Sequence, residues 1–178
     1  MRHDQIHLTP LIQEIEIKSR LNHLVQRIAN DFNGQELVVI GLLKGSFIFL
    51  ADLIRLLYTF NIPLFIDFLL VSSYGSNTKS SGQINLIQDI TLNIKGKPVM
   101  VVDDILDTGR TLNMVIKHLF KQEPLLLKTC VFLDKPNRRQ FEIEADYTAF
   151  QIPDHFVVGY GLDLNDQYRE LPFIGYIS

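Results

Sequence analysis

The residues best suited to chemistry lie between positions 101 and 112, where an apolar run leads into an acidic pair and then into a polar turn. The pair, Asp103-Asp104, offers carboxylates to a ribose diol or to a hydrated magnesium ion, which proteins hold through carboxylates and substrate phosphates. The turn reads Asp107-Thr108-Gly109-Arg110-Thr111. Where a helix begins, free backbone N–H groups and the helix dipole attract phosphate. This segment therefore predicts a site for a phosphorylated ligand.

Strands and helices alternate around this segment. Apolar residues at helical spacing predict helices over residues 11–32, 47–58 and 111–120. Apolar runs predict strands over residues 37–40, 63–71, 84–90, 99–102, 125–133, 147–152 and 156–160, with 84–90 at an edge. This alternation predicts an α/β fold with a mostly parallel central sheet flanked by helices, and such sheets bind ligands beyond the carboxyl ends of their strands. Asp and Thr before a helix are also common N-caps, so the bare Asp-Thr-Gly triplet has a purely structural alternative.

Composition narrows the class of protein. The chain has 178 residues, which is typical of a single domain, here taken as residues 1–178. The net charge of −3 argues against a nucleic-acid or anionic-membrane partner bound through bulk charge. The long apolar stretch over residues 37–57 is interrupted by charged and small residues, which makes it a poor membrane span. With one cysteine, Cys130, the chain has no internal disulfide, and we expect a cytoplasmic protein.

Three further motifs follow predicted strands. Residues 41–46, Gly-Leu-Leu-Lys-Gly-Ser, lack Walker-loop spacing and on their own are also typical of an ordinary strand-to-helix turn. Residues 72–82 are almost free of apolar side chains, which predicts a long mobile loop, either a lid or an idle surface excursion. The third motif is split between Leu-Asp-Lys-Pro at residues 133–136 and Pro-Asp-His-Phe-Val-Val-Gly-Tyr-Gly-Leu-Asp at residues 153–163.

Together these four motifs resemble the type I phosphoribosyltransferases, and in particular their hypoxanthine(-guanine) branch of the short bacterial type. The resemblance covers about residues 15–177. It implies the type I fold, with a small hood contributed by the N-terminal and C-terminal segments and a mobile lid loop. It also implies transfer of the phosphoribosyl group from 5-phosphoribosyl 1-pyrophosphate (PRPP) to hypoxanthine, and also to guanine, giving IMP or GMP and pyrophosphate in purine salvage. Mg²⁺ is the implied cofactor, and a homodimer or homotetramer is the implied assembly.

The resemblance also implies roles at the sugar and phosphate end of the site. Asp107 is the implied general base. The ribose and the 5′-phosphate are bound by Asp103, Asp104, Asp107, Thr108, Gly109, Arg110 and Thr111. Pyrophosphate is bound by Lys44, Gly45 and Arg169, and the peptide bond entering Lys44 is often cis in the family. The lid residues are Ser73 and Tyr74.

At the purine end, the implied binding residues are Lys135, Phe156, Val157 and Asp163. Lys135 donates to the 6-oxo group, Phe156 stacks on the ring and the Val157 backbone reads its edge. Asp163 is the implied metal ligand, with Asp103 and Asp104 as further candidates acting through ribose or water. The preference among hypoxanthine, guanine and xanthine depends on what faces the 2-position of the purine. Taken singly, each residue also has a structural alternative in the core, a turn or the surface.

Two positions depart from the family pattern. The family usually has Glu-Asp where this chain has Asp103-Asp104, which predicts a looser or water-mediated contact with the diol, and Arg110 stands where the family often has lysine.

Two other functions are considered. A uracil-type phosphoribosyltransferase with an RNA-binding regulatory role would need a basic surface and a different base pocket. A phosphoacceptor signalling domain would carry its acidic pair after the first strand, whereas in this chain the pair follows a central one.

Overall fold

The computed structural model describes residues 7–32, 34–73 and 84–177, and most of these lie in alternating strands and helices. The helices are α1 (Glu14–Asp31), α2 (Phe47–Tyr58) and α3 (Arg110–Phe120), with a short 3-10 helix at Pro136–Arg138. The strands are β1 (Leu8–Ile12), β2 (Leu37–Leu43), β3 (Leu64–Ser73), β4 (Ile84–Gln88), β5 (Pro98–Leu106), β6 (Leu126–Asp134), β7 (Tyr147–Gln151), β8 (Val157–Val158) and β9 (Ile174–Ile177).

Six strands form the central sheet in the order β4-β3-β2-β5-β6-β7. Every neighbouring pair is parallel except β3 and β4, so the prediction of a mostly parallel sheet with an edge strand at β4 is confirmed. Strand β5 is central, pairing with β2 through Val102 and Gly41 and with β6 through Leu106 and Asp134. The segments that leave β2, β5 and β6 therefore emerge side by side at one edge of the sheet.

A second, three-stranded antiparallel sheet has the order β1-β9-β8. Its strands come from the two ends of the described chain. Strand β1 pairs with β9 from Leu8 opposite Ile177 to Ile12 opposite Ile174. This small sheet brings the C-terminal segment next to the loop that precedes β8.

The core lies on both faces of the central sheet, because successive strand side chains point to opposite faces. In β2, Val38, Ile40 and Leu42 belong to the cluster that packs against α3, whereas Val39 belongs to the cluster that includes α1 and α2. On that second face, the buried Phe132 contacts three other aromatic rings. Both faces are covered, which holds the strand ends and their loops in a fixed arrangement.

Several predicted boundaries were wrong for identifiable reasons. Helix α1 begins at Glu14 rather than at residue 11, because β1 continues to Ile12, which pairs with Ile174 of β9, and the Gln13 N–H donates to the Glu16 carboxylate at 2.8 Å. Strand β5 continues past residue 102 to Leu106, since β6 provides backbone partners up to Asp134. The predicted strand 156–160 is reduced to β8. Of the predicted lid, Tyr74 and the rest of residues 74–82 lie outside the described residues, and Ser73 ends β3.

In the part of the chain that the structure describes, no helix is both long and apolar enough to cross a membrane.

Candidate active site

A pocket of about 370 Å³ opens at the carboxyl ends of β2 and β5. Residues 42–45 line one wall, residues 103–112 line the other, and Val71 of β3 contributes a third side. The structure thus brings together two of the sequence-predicted pyrophosphate residues and all seven of the predicted ribose and phosphate residues. The two groups lie 58 or more positions apart in the sequence and meet because β2 and β5 are parallel neighbours.

The turn between β5 and α3 has the geometry of an anion-binding loop. Gly109 caps the helix with a φ of 84°, and a Cβ at this position would lie 2.5 Å from Cγ2 of Ile143, so both conformation and space favour glycine. The first intrahelical bond runs from the Asn113 N–H to the Gly109 carbonyl at 3.0 Å. The N–H groups of the first helical turn that precede it have no intrahelical acceptor and can bind an anion.

The side chain of Arg110, unlike the backbone N–H groups of this turn, is engaged by other parts of the protein. Its guanidinium donates to the Gln140 side chain at 3.3 Å and lies 5.8 Å from the centre of the Phe141 ring. Its backbone lines the pocket with the rest of the loop. In this arrangement Arg110 contributes its backbone to the loop before α3, while its charge is directed towards the segment after β6.

The acidic pair is tightly held at the floor of the pocket. The Asp104 N–H donates to Asp103 Oδ1 at 2.9 Å, and the Ile105 N–H donates to Asp104 Oδ1 at 2.7 Å. Burial and then the neighbouring Asp104 carboxylate raise the pKa of Asp103 well above its usual value. Burial also raises the pKa of Asp104, although Arg169 acts in the opposite direction. Two adjacent carboxylates, of which Asp103 is buried and Asp104 half-buried, are therefore stabilised by any ligand that brings positive charge or hydroxyl donors.

The turn after β2 packs directly on this pair. The Leu43–Lys44 peptide bond is cis, as the resemblance implied. A Cβ at Gly45 would overlap the Asp104 carboxylate, and a Cβ at Gly161 would overlap the Gly45 carbonyl. The two glycines thus allow the β2 turn to lie between the acidic pair and the segment that follows β8.

Arg169 joins the site through that later segment. Its guanidinium donates to the Gly161 carbonyl at 2.7 Å and lies 2.8 Å from Asp163 Oδ1. Asp166, which the sequence analysis missed, lies 3.5 Å from Lys44 Nζ and 3.4 Å from Arg169 Nη2. The hydrogen bond from Arg169, followed by the charge of Lys44, lowers the pKa of Asp166. An exposed carboxylate therefore lies between the two predicted pyrophosphate-binding cations.

The predicted purine residues lie beside the phosphate pocket rather than in its lining. The backbone N–H of Lys135 donates to the Leu106 carbonyl at 2.9 Å, which places the residue after β6 next to the residue that ends β5. Lys135 is only 7 % exposed, and its ammonium group donates to the His155 carbonyl at 2.7 Å. Phe156 is 56 % exposed, as a ring that stacks on a ligand must be, and Val157 is buried in β8.

Asp163, the predicted metal ligand, is occupied by protein contacts. Its Oδ1 lies 2.8 Å from Arg169, and its Oδ2 accepts the Asp166 N–H at 2.8 Å. Within residues 7–32, 34–73 and 84–177, no group of three or more His, Cys, Asp or Glu side chains is arranged to hold a metal ion. The paired carboxylates of Asp103 and Asp104 still fit magnesium, which needs one or two protein carboxylates when substrate phosphates supply other ligands.

Two arginines next to the predicted purine site were also missed. Arg138 lies 2.7 Å from the Asp107 carboxylate and 3.1 Å from that of Asp154. Arg139 donates to the carbonyl oxygens of Leu106 and Asp107 and forms an ion pair with Asp134. The available sequence signal was their position directly after Lys135, in the segment that the parallel pairing of β5 and β6 places against the phosphate loop.

An anion-binding helix start and a buried acidic pair at the carboxyl edge of a parallel sheet define an α/β enzyme that binds a phosphorylated substrate. The family model described as "Phosphoribosyl transferase domain" matches residues 12–165, and the chain belongs to this family. It is 48 % identical over 163 residues to the hypoxanthine-guanine phosphoribosyltransferase of Aquifex aeolicus, covering 91 % of this chain and 90 % of the relative.

Solved structures agree with this assignment. A hypoxanthine-guanine phosphoribosyltransferase from Bacillus anthracis is 46 % identical and superposes with a TM-score of 0.89, covering 96 % of this chain and 98 % of the other. The hypoxanthine phosphoribosyltransferase of Trypanosoma cruzi, solved with the product IMP, is 42 % identical with a TM-score of 0.90, covering 100 % of this chain and 97 % of the other. The chain is therefore an enzyme of the phosphoribosyltransferase class, and neither alternative function is supported.

Proposed function

We propose that this enzyme transfers the phosphoribosyl group of PRPP to hypoxanthine, and also to guanine, forming IMP or GMP and pyrophosphate in purine salvage. The observation that carries the proposal is the single pocket lined by the turn after β2, the acidic pair and the loop before α3. These three parts suit the pyrophosphate, the ribose and the 5′-phosphate of one substrate. The hypoxanthine and hypoxanthine-guanine names of relatives matched over nearly the full chain support the choice of purine.

In the proposed mechanism the loop at residues 107–111 anchors the 5′-phosphate through backbone N–H groups and the hydroxyls of Thr108 and Thr111. Asp103 and Asp104 bind the ribose hydroxyls. The backbone at Lys44 and Gly45, together with Arg169, stabilises the charge that develops on pyrophosphate as its bond to the sugar breaks. Asp166 lies between Lys44 and Arg169 and must yield to the pyrophosphate oxygens.

Bond breaking leaves positive character on the anomeric carbon, as in other glycosidic reactions with oxocarbenium-like transition states. A purine nitrogen then attacks this carbon while the ring loses a proton. Asp107 lines the pocket and is the proposed base for this proton. The predicted lid, Ser73 and Tyr74, would keep water from the reacting carbon.

Lys135, Phe156 and Val157 are the proposed purine site. A lysine donor suits a 6-oxo group and disfavours a 6-amino group, which has no acceptor lone pair of comparable strength. The His155 carbonyl already holds the Lys135 ammonium at 2.7 Å, which fixes its direction. We therefore expect this site to select oxopurines over adenine.

Magnesium is the proposed cofactor, which Asp103 and Asp104 would hold together with substrate phosphates, with Asp163 as a further candidate ligand. When bound, it supplies positive charge that offsets the charge of the leaving pyrophosphate. Burial, and then the neighbouring Asp104 carboxylate, raise the pKa of Asp103, and a bound cation would favour the ionised pair.

We further propose a cytoplasmic homodimer or homotetramer with small-molecule substrates and without a nucleic-acid or membrane partner. The exposed apolar side chains of α2, of β3 and of the turn between them support a subunit contact at this surface. Tyr58 is 78 % exposed, and Phe60, Ile66 and Phe68 are also exposed. Exposed apolar surface of this kind typically marks an interface between proteins.

The test is nucleotide formation from PRPP with hypoxanthine, guanine, xanthine, adenine and uracil in parallel, with magnesium and with a chelator. We expect IMP and GMP, little product from adenine or uracil, and none without magnesium. Turnover with uracil and with none of the other bases would contradict the proposed function. Absence of turnover with all five bases would contradict it as well.

A further inference from the structure

The segment after β6 runs alongside the loop that carries Asp107. Leu106 and Asp134 are partners in the parallel ladder, so the chain leaves β5 and β6 at neighbouring points. Beyond the ladder, the N–H groups of Gln140 and Phe141 both donate to the Thr108 carbonyl, at 2.9 and 3.2 Å. The 3-10 helix at Pro136–Arg138 is therefore fixed against the phosphate loop at both of its ends.

Two consecutive arginines of this segment hold Asp107 at both its main chain and its side chain. Arg139 donates to the carbonyl oxygens of Leu106 and Asp107 and to the Asp134 carboxylate. Its side chain is only 16 % exposed, so these bonds fix the backbone from which Asp107 projects. Arg138 Nε donates to Asp107 Oδ1 at 2.7 Å and so fixes the carboxylate itself.

Arg138 is in turn held by a second carboxylate. Its Nη1 donates to both oxygens of Asp154, at 3.2 and 3.1 Å. Asp154 Oδ1 lies 3.8 Å from Lys135 Nζ. Charges of alternating sign therefore run from Asp107 through Arg138 and Asp154 to Lys135, and connect the proposed base to the proposed 6-oxo donor.

The hydrogen bond from Arg138 leaves Asp107 able to act as a base. Among the residues that the structure describes, the hydrogen bond to its side-chain oxygens comes from Arg138 and uses Oδ1 alone. Oδ2 is not engaged by this bond, so one oxygen can accept a proton while the other is held. A planar guanidinium with several donors can bridge two carboxylates in this way, which a single ammonium group does less well.

We propose that Arg138 is a positioning residue that orients the Asp107 carboxylate for proton transfer and, through Asp154, sets its distance from Lys135. The inference rests on the proposed function, in which Asp107 is the base. The side chain of Arg138 is 44 % exposed, so its effect on stability is small and its effect on the orientation of Asp107 is the larger one.

The test is a double-mutant cycle on kcat with Arg138→Met, Asp107→Asn and the double variant, with KM for PRPP measured alongside. We expect Arg138→Met to lower kcat about 10- to 100-fold, the change equivalent to losing one hydrogen bond to a charged group. KM for PRPP should not change, because the 5′-phosphate loop is intact. In the Asp107→Asn background, Arg138→Met should have no further effect.

Conservative and neighbouring variants separate positioning from a structural role. Arg138→Lys should recover part of the lost kcat, and Asp154→Asn, which loosens Arg138 without touching Asp107, should give a smaller loss. Lys18→Met, which breaks an exposed ion pair on α1, is the matched surface control and should leave kcat unchanged. Thermal unfolding of each variant checks that the fold is retained.

The outcomes are distinguishable. If Asp107→Asn lowers kcat as predicted but Arg138→Met leaves kcat unchanged, or lowers it equally in both backgrounds, the role of Arg138 is refuted and the proposed function stands. If Asp107→Asn itself leaves kcat unchanged, the assignment of the base is wrong and the role of Arg138 fails with it.

Discussion

Replacing Gly45 with alanine should displace the carboxylate of Asp104. An ideal Cβ at Gly45 would lie 2.5 Å from Asp104 Cγ and nearer still to Oδ2, far inside van der Waals contact. Asp104 Oδ1 accepts the Ile105 N–H at 2.7 Å, so a rotation that relieves the overlap breaks this bond. Loss of a hydrogen bond to a charged acceptor costs about 1.5–3 kcal/mol, which corresponds to about 10- to 100-fold in kcat/KM for PRPP.

The assay is steady-state kinetics with PRPP varied, combined with urea unfolding. Gly96→Ala is the matched control, because Gly96 has a φ of 69° and its Cβ would meet nothing within 4 Å. That control should lose about 1–2 kcal/mol of stability through backbone strain and retain full kcat/KM. The Gly45 variant should instead lose mainly kcat/KM and little stability. In an Asp104→Ala background, Gly45→Ala should have little further effect, and an equal loss in both backgrounds would refute the reasoning.

Three other predictions concern single side chains. Lys135→Met should raise KM for hypoxanthine about 10- to 100-fold, because a charged hydrogen bond to the 6-oxo group is lost, while KM for PRPP stays constant in the same kinetics. Asp103→Glu should lower KM for PRPP about 2- to 10-fold, since the longer carboxylate reaches further towards the diol; a higher KM would contradict this. Burial raises the pKa of the Cys130 thiol, so the folded protein retains a proton that the unfolded chain releases above its pKa of about 8.5. Stability is thus unaffected below this pH and falls as pH rises above it, and Cys130→Ala should reduce that slope in urea unfolding at several pH values.

The parts of the fold that sequence reasoning identified are those with local signals. Helix α2 was predicted with its observed bounds, Phe47–Tyr58, because it follows a buried strand and is almost wholly apolar. Strands β1 and β9 were missed, because they are short and β1 pairs with β9 across almost the whole chain. The start of α1 was wrong for the same reason, since only the pairing with β9 makes residues 11 and 12 a strand.

The site residues divide in the same way, into those with a local signal in the sequence and those that depend on distant segments of the chain. The loop before α3 was predicted in full, since its residues are consecutive and their chemistry is visible in the sequence. Arg138 was missed because its partner Asp107 is 31 positions away, and only the parallel pairing of β5 and β6 brings the two together. The Asp163 contact with Arg169 was not foreseen either. It depends on an irregular turn in which Asn165, Asp166 and Tyr168 have positive φ values that the sequence does not announce.

The most direct test of the central claim, that phosphoribosyl transfer occurs in the pocket beside β5, is the turnover of Asp107→Asn with PRPP, magnesium and hypoxanthine. We predict that kcat falls about 100- to 10,000-fold, as for loss of a general base, while KM for PRPP changes little. A variant that forms IMP at the rate of the unaltered enzyme would contradict the account.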